Sequence, residues 1–445
     1  MTQKQPLMVN SFDPERAAPE SPAIAALLAR RARVLGPSYR LFYERPVHVV
    51  RAQGVRLYDD AGESYLDVYN NVPSVGHCHP RVVEAVARQA ATLNTHTRYL
   101  YDVVLDYAER LIATFPLVLG NVMFTCTGSE SSDLALRIAH SHTKGTGIIV
   151  TANGYHGLTA AVAEASPSLG EGVPLGSHVR VVAAPDAYRL GADRVGDRFA
   201  ADVKAAIDDM RRHGIKPAAL LFDSIFSSDG ILSHPPGFIS GAVEIIRAAG
   251  GLYIADEVQP GFGRTGGGMW GFSRHNVIPD LVVLGKPMGN GLPIGGVVAQ
   301  PHLLAEFANS ARYFNTFGGN PVCCAAGLAV LDVLRDEHLL ENALRVGDYM
   351  QQGLKDLQRR HACIGEVRGA GLFIGVDLIK DRVTREPNPE MGLALVNRLR
   401  DKHVLISASG PDGHVLKIRP PLPFSRSDAD EFLSKLQECF QEIAC

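Results

Sequence analysis

Hydrophobic positions along this chain change their spacing three times, and each change predicts a different kind of structure. An alanine-rich amphipathic stretch runs from Ile24 to Val34. Between Val47 and Val68 the segment "VRLYDDAGESYLDV" holds two β-rich runs around an Asp-Asp-Ala-Gly turn, which predicts a hairpin. Helical spacing follows in "PRVVEAVARQAATL" (Pro80 to Leu93), with proline in the first turn, and in "DVVLDYAERLIATF". From about residue 120 to 300 short apolar runs alternate with helical segments: "NVMFTCT", "GIIVTA", "VRVVAA", "AALLFDS", "GLYIADEV", "DLVVLGK" and "IGGVVAQ". Five of these lack period-2 alternation, so both faces are covered, as in parallel or mixed sheets of α/β proteins. Residues 302–360 read as mainly helical. The last hundred residues return to α+β texture, with "GLFIGVDLI", "HVLISAS" and "VLKIRP" as strands and "SDADEFLSKLQECFQEI" as a closing helix.

This pattern predicts one large α/β domain, with the two chain ends forming a smaller one. The expected divisions are a poorly ordered, proline-punctuated arm over 1–22, a small-domain segment over 23–75, the large domain over 76–335 and the remaining small-domain segment over 336–445. There is no internal repeat and no low-complexity stretch.

Composition narrows the function classes. The 445 residues are 46% hydrophobic and 20% charged, an ordinary globular balance. Forty-four basic against 47 acidic side chains leave a net charge of −3, which gives no electrostatic reason to bind nucleic acid or anionic lipid. The start lacks the apolar core of a signal peptide, and no run of about 18 apolar residues occurs. Seven scattered cysteines argue against a disulfide framework, so a cytoplasmic protein with reduced thiols is expected.

Candidate chemistry gathers where apolar strands end. Asp256 ends "GLYIADEV" and Lys286 ends "DLVVLGK", both at the expected carboxyl edge of the sheet, where α/β sites form. Partial burial there lowers a lysine's pKa and makes it an amine nucleophile able to form a Schiff base. A nearby aspartate is what a pyridine nitrogen needs to stay protonated. The alternative is a structural Asp–Lys ion pair. In "FTCTGSESSDLALRIA" a strand ends at Thr127 and a helix begins at about Glu130, and the Gly128–Ser129 turn offers free amides to a phosphate. Thr127 and Glu130 have capping-box spacing, so a merely well-capped helix is the alternative. "NGYHGLT" pairs Tyr155, which suits stacking on a flat ligand, with His156; a buried turn tyrosine is the plainer alternative. Asp223 is another acid on this edge. Thr316, in "RYFNTFGGNP", offers a hydroxyl to a phosphate across a subunit boundary. Arg419, in "VLKIRPPLPF", has the planar fork that matches a carboxylate, with an internal salt bridge as the alternative.

Other signals fail their context. "GFGRTG" (Gly261 to Gly266) matches a dinucleotide fingerprint literally, but more glycines follow where a helix should start. No P-loop exists. "GHCHP" lacks metal-site spacing and reads as a turn before a helix, so no metal is expected. Adjacent Cys323 and Cys324 read as small core residues.

Together "ADEVQPGFGRTG", "LGKPMGNGLPIGGVV", "FNTFGGNP", "GHCHP" and the Gly-Ser helix start resemble the class III (ω-) aminotransferases of pyridoxal phosphate (PLP) fold type I. The likeness runs from about residue 45 to the C-terminus. "NNVPSVGHCHP" and "LNTHTRYLYDVVLDYAERL" resemble especially the alanine–glyoxylate aminotransferase 2-like branch, which includes ethanolamine-phosphate phospho-lyases. The resemblance implies an aspartate aminotransferase-like α/β fold, with a mostly parallel seven-stranded sheet and a smaller α+β domain from both chain ends. It also implies a homodimer with a shared active site, with tetramers as a further arrangement. Lys286 would bind PLP covalently and shuttle protons, Asp256 would hold the pyridine nitrogen and Gln259 would sit near the ring 3-oxygen. Gly128 and Ser129 would bind the phosphate, joined by Thr316 of a neighbouring subunit. Tyr155 and Val258 would flank the ring, and His156 and Asp223 belong to the same cofactor shell. Arg419 would receive a substrate carboxylate, with Asp223 standing where the family often has a glutamate that pairs with the arginine. The implied activity is amino transfer from an amine or amino acid to pyruvate, glyoxylate or 2-oxoglutarate. The alternative is elimination of phosphate or ammonia from a phosphorylated or phosphonylated amine. Racemases and decarboxylases share the cofactor residues. A nicotinamide-linked dehydrogenase and a silent scaffold lie outside the class.

Overall fold

In a computed structural model, which describes residues 10–13 and 21–443, the seven apolar runs of the chain's middle form a single sheet. Its spatial order is Asn121–Thr125, Gly295–Ala299, Leu281–Leu284, Leu252–Asp256, Pro217–Asp223, Gly147–Thr151 and Val179–Val182. Gly295–Ala299 is antiparallel to both neighbours and every other pair is parallel. The missing alternation has a direct cause. Ile148, Val150, Leu221, Ile254, Val283 and Val297 pack into one apolar layer beneath the helices Gly128–Thr143 and Pro301–Ser310. Their strand neighbours Ile149, Leu220, Phe222, Tyr253, Ala255, Val282 and Val298 pack into the layer on the opposite face. Side chains alternate faces along a strand, and here each face meets helices, so every position is apolar.

The chain ends add two four-stranded sheets. Val49–Gln53, Arg56–Asp59 and Ser64–Asp67 form a meander, so the expected hairpin at the Asp-Asp-Ala-Gly turn is present and a second turns at Gly54. Val404–Leu405 joins this meander in parallel beside Leu66 and Asp67. "HVLISAS", expected as one strand, breaks at Ile406, and its second half, Ser407–Ser409, enters the other sheet with Val415–Ile418, Phe373–Leu378 and Ile364–Ala370. Ile364–Ala370 is a strand that sequence spacing did not predict.

Three further differences concern the termini and the thiols. Most of the arm expected over residues 1–22 lies outside the described residues, but Asn10 and Phe12 pair with Tyr43 and Leu41 through backbone hydrogen bonds. The amphipathic stretch is a helix, Pro22–Leu35, that buries none of its residues within the chain. Five cysteines are free thiols, with Cys323 and Cys324 buried as expected, whereas Cys363 is disulfide-bonded, against the expectation of reduced thiols throughout. No described helix is long and apolar enough to cross a membrane.

The end of the central strand is pinned by the residue that follows it. Glu257 is fully buried and accepts hydrogen bonds from Ser224 Oγ (2.7 Å) and from the backbone N–H groups of Gly271 (2.7 Å) and Phe272 (2.8 Å). Burial nevertheless pushes its carboxyl up to about 8. The folded state therefore holds this proton more tightly than the unfolded chain. That contribution is complete below the ordinary value of 4.5 and is lost as pH rises through about 8. Glu257→Gln, which cannot ionise, is expected to flatten the decline in the urea unfolding midpoint between about pH 5 and about pH 8. Its amide NH2 meets a backbone donor, so the variant should also be about 1–3 kcal/mol less stable at the lower pH.

Candidate functional site

Asp223 and Asp256 are the last residues of adjacent parallel strands, and Lys286 lies two residues beyond the end of the next. The loop after Thr151 carries Tyr155 and His156, and the turn after Thr125 carries Thr127, Gly128 and Ser129. Five strands thus deliver polar groups to the carboxyl edge of one sheet. There a cavity of about 260 Å³ is lined by Gly128, Ser129, Tyr155, His156, Asp256, Val258, Gln259 and Lys286. Eight of the predicted positions therefore share one space.

Asp256 is buried. Its Oδ2 lies 2.8 Å from His156 Nδ1, and its Oδ1 accepts the backbone N–H of Val258 at 3.1 Å. His156 Nε2 is buried with no partner. Among the described residues no ion pair joins Asp256 to Lys286, so the structural-pair alternative is absent. Burial lowers the Lys286 amine to about 8; the positive Arg419 acts in the same direction, while Asp256 and Asp223 oppose it. An amine in this range is unprotonated in roughly a tenth of the molecules at pH 7, far more than an ordinary lysine, and the free amine is the state that attacks an aldehyde.

The helix Gly128–Thr143 starts two residues earlier than spacing suggested. Thr127 is its N-cap, and its hydroxyl accepts the N–H of Glu130 at 3.1 Å. The Glu130 carboxylate reaches the N–H of Cys126 (2.8 Å), not that of Thr127, so the box is shifted by one residue. The N–H groups of Gly128 and Ser129 have no intrahelical acceptor and are available to an anion. Close backbone approach fixes this corner. A Cβ on Gly285 would lie 3.1 Å from Gly128 N, and one on Gly128 would lie 3.0 Å from Val258 Cγ2. Gly157, at φ +145°, would place a Cβ 2.7 Å from Ser129 Cα.

Asp223 and Arg419 are buried beside the cavity but do not pair. Both Asp223 oxygens accept the Ser227 N–H (3.0 and 2.9 Å), and Ser227 Oγ donates to Oδ2 at 2.8 Å. Arg419 instead donates to Gln259 Oε1 and, through Nε, to Tyr69 O (3.0 Å), and its guanidinium lies 4.5 Å from the Tyr69 ring centroid. Gln259 in turn donates to Ser227 Oγ at 2.7 Å. Among the described residues the internal salt bridge for Arg419, the alternative raised by its sequence context, is thus not formed. Burial lowers the pKa of Arg419 and raises that of Asp223. Thr316 is exposed and lies outside the cavity lining of its own chain.

Sequence reasoning missed two members of this network. Ser227 is the hub between Asp223 and Gln259. Lys417, on the strand Val415–Ile418 two residues before Arg419, is buried and donates to Ser227 O at 3.2 Å. Its burial, with Arg419 close by, lowers its pKa strongly. The available signal was a lysine inside the apolar run "VLKI".

The family description "Aminotransferase class-III" matches residues 42–440. Alanine–glyoxylate aminotransferase 2-like of Drosophila melanogaster is 41% identical over 93% of this chain and 86% of its own length. Ethanolamine-phosphate phospho-lyase homolog 1 of Caenorhabditis elegans is 38% identical over 93% and 92%. Among solved structures, a phospholyase from Arthrobacter in complex with phosphoethanolamine is 46% identical, with a TM-score of 0.91 over 93% of this chain and 99% of that one. An (S)-enantioselective ω-transaminase from Thermomicrobium roseum is 29% identical, with a TM-score of 0.85 over 96% of this chain and the whole of that one.

The depressed amine has a measurable signature. Labelling of cofactor-free protein by a small aldehyde and borohydride, followed by peptide mass spectrometry, should show Lys286 reactivity rising with pH through about 8, while surface lysines rise only toward 10.5. Parallel profiles for Lys286 and the surface lysines would contradict the buried setting.

Proposed function

Because this chain belongs to the class III aminotransferases, enzymes that use pyridoxal phosphate, we propose that it acts on a small primary amine bearing a phosphate group and eliminates that phosphate. The observation that carries this reading is the pair of buried basic side chains, Lys417 and Arg419, neither of which forms an ion pair among the described residues. A buried base without a counter-ion holds its proton weakly, so the pocket favours a substrate that brings its own anion and restores the charge. The 46%-identical phospholyase with bound phosphoethanolamine supports the same choice. Retention of Arg419 does not favour a carboxylate, because a guanidinium fork matches phosphate equally well.

The residues fit the cofactor. Lys286 is a buried amine with no ion pair, Gly128 and Ser129 present free amides to a phosphate, and the buried orphan Nε2 of His156 marks a polar lining that protein groups leave incomplete. Pyridoxal phosphate, when bound, supplies an aldehyde that condenses with amines and a protonated ring that withdraws electrons. Lys286 would hold it covalently, and Asp256, oriented by His156, would keep the ring nitrogen protonated. Tyr155 and Val258 would bound the ring faces, and Gln259 would face its 3-oxygen. Asp223, neutralised in part by its Ser227 donors, would keep Ser227 and therefore Gln259 in place. With substrate bound, the freed Lys286 amine would take the proton from the carbon bearing nitrogen. Cleavage of the neighbouring C–O bond would release inorganic phosphate, and addition of water to the remaining carbon–nitrogen bond would yield an aldehyde and ammonia.

Transamination to pyruvate, glyoxylate or 2-oxoglutarate is the second reading, favoured by the relatives named aminotransferases and by the transaminase structures. It would use the same proton abstraction by Lys286, with no bond to a leaving group broken and the amino group passed on to the keto acid. A shared site in a homodimer completes the proposal. Leu100 (98% exposed) and Phe317 (69%) belong to loops that touch through Tyr101 and Gly319, with Phe314 and Tyr99 beside them. Such an apolar patch calls for a cover, and a partner copy seated there would bring its Thr316 toward this site.

Phosphoethanolamine given without any keto acid should release phosphate and ammonia in equal amounts. Amino acid formed only when a keto acid is present would establish transamination instead. Lys417→Ala and Arg419→Ala should each raise KM for the anionic substrate about tenfold to a hundredfold, as expected for loss of a charged hydrogen bond. Lys286→Ala should abolish visible absorbance. Leu100→Glu with Phe317→Glu should yield monomers by analytical ultracentrifugation, with loss of retained cofactor.

A further inference from the structure

The glycine-rich turn that failed as a dinucleotide fingerprint borders a second cavity, of about 490 Å³, on the far side of the segment that leaves Asp256. One wall is Thr265–Gly268 with Trp270, Ser273 and Arg274. The other is a stripe of the helix Leu339–Arg360, on which Leu344, Asp348, Gln351 and Lys355 follow one another at spacings of three and four, together with the turn Gly369–Gly371.

The walls are backbone brought close. A Cβ on Gly371 would lie 2.5 Å from Thr265 C, and one on Gly266 would lie 3.0 Å from Leu344 Cα; both residues have positive φ. Three basic groups converge between these walls. Arg274 is partly buried, forms no ion pair among the described residues, and makes a single long hydrogen bond from Nη2 to Ser233 O (3.3 Å). Its Nε is buried with no partner at all. Lys355 reaches in from the helix, also without an ion pair. His234 stands at the mouth, and its pKa is lowered first by partial burial and then by the nearness of Arg274 and Lys355. The N–H groups of Gly267 and Gly268 have no acceptor among the described residues. Asp348 is the single acid of the lining.

A buried guanidinium N–H without an acceptor, a second unpaired cation and free amides in a glycine turn share one requirement: several acceptor oxygens on one small anion. We propose that this cleft is a binding site for a small phosphate-bearing anion, held by Arg274 and Lys355 and separate from the catalytic cavity. A tetrahedral dianion supplies enough oxygens for both cations and the turn, where a carboxylate supplies two. The site stands whatever reaction the catalytic cavity performs, since it shares no lining residue with it.

The chain's single tryptophan, Trp270, lines the cleft and reports on it. Cofactor-loaded protein titrated with inorganic phosphate at constant ionic strength should show a saturable change in tryptophan fluorescence. Arg274→Gln should move its midpoint about tenfold or more to higher phosphate, the loss expected for a charge-assisted hydrogen bond. Lys355→Gln, on an exposed helix face, should move it in the same direction and guards against a folding defect in the arginine variant. Acetate at the same concentration should give no saturable change. A wild-type protein with no saturable response, or a midpoint unmoved in both variants, overturns the proposal; an equal response to acetate overturns the preference for phosphate.

Discussion

Burial of basic groups without ion-paired partners is the constraint on which the rest of this molecule depends. Lys286, Lys417 and Arg419 sit out of water around one end of a sheet, and no carboxylate forms an ion pair with any of them among the described residues. The acids that come near are committed elsewhere: Asp256 to His156, and Asp223 to Ser227. Had either acid closed on a cation, the cation would be spent on structure. The amine would then rise back toward the ordinary lysine range, and Lys417 and Arg419 would be spent on a protein carboxylate. Reactivity at Lys286 and the anion recognition proposed for Lys417 and Arg419 both follow from one deficit of counter-ions.

Rigid, close-packed backbone maintains that deficit. Gly128, Gly157 and Gly285 let the helix start, the Tyr155–His156 loop and the lysine loop touch where side chains would hold them apart. Glu257 anchors the strand end from behind through two backbone amides and Ser224. With the loops fixed in this way, Asp223 cannot swing to Arg419 without abandoning three hydrogen bonds to Ser227. The arginine is therefore paired with the neutral Gln259, which partners the charge without neutralising it.

Much of this was legible in the sequence, for reasons visible in individual residues. The central strands of the large sheet were legible because strands covered on both faces are continuous apolar runs, while the edge strands Asn121–Thr125 and Val179–Val182 are short apolar runs with partly exposed positions. A charge that ends such a run, as at Asp256 and Lys286, is an equally local signal. The strand Ile364–Ala370 escaped because Glu366 and Arg368 interrupt its apolar pattern, yet Arg368 is buried and satisfied by Glu366 (2.7 Å) and Asp377 (2.9 Å). Lys417 was hidden for the opposite reason, a lone charge inside an apolar run. The separation of Asp223 from Arg419 is set by how the loop after Asp223 folds back through Ser227, a three-dimensional fact that residue spacing does not encode.

The parallel pairing of Val404–Leu405 with Leu66–Asp67 joins segments from opposite ends of the chain. During synthesis the large sheet, with Asp256 and Lys286, leaves the ribosome before the strand carrying Lys417 and Arg419 exists. A nascent chain can thus assemble its lysine-bearing edge first, and acquires Lys417 and Arg419, the groups proposed to hold an anionic substrate, only when the last quarter of its length docks. On that proposal the reactive amine is encoded early in translation, and discrimination late.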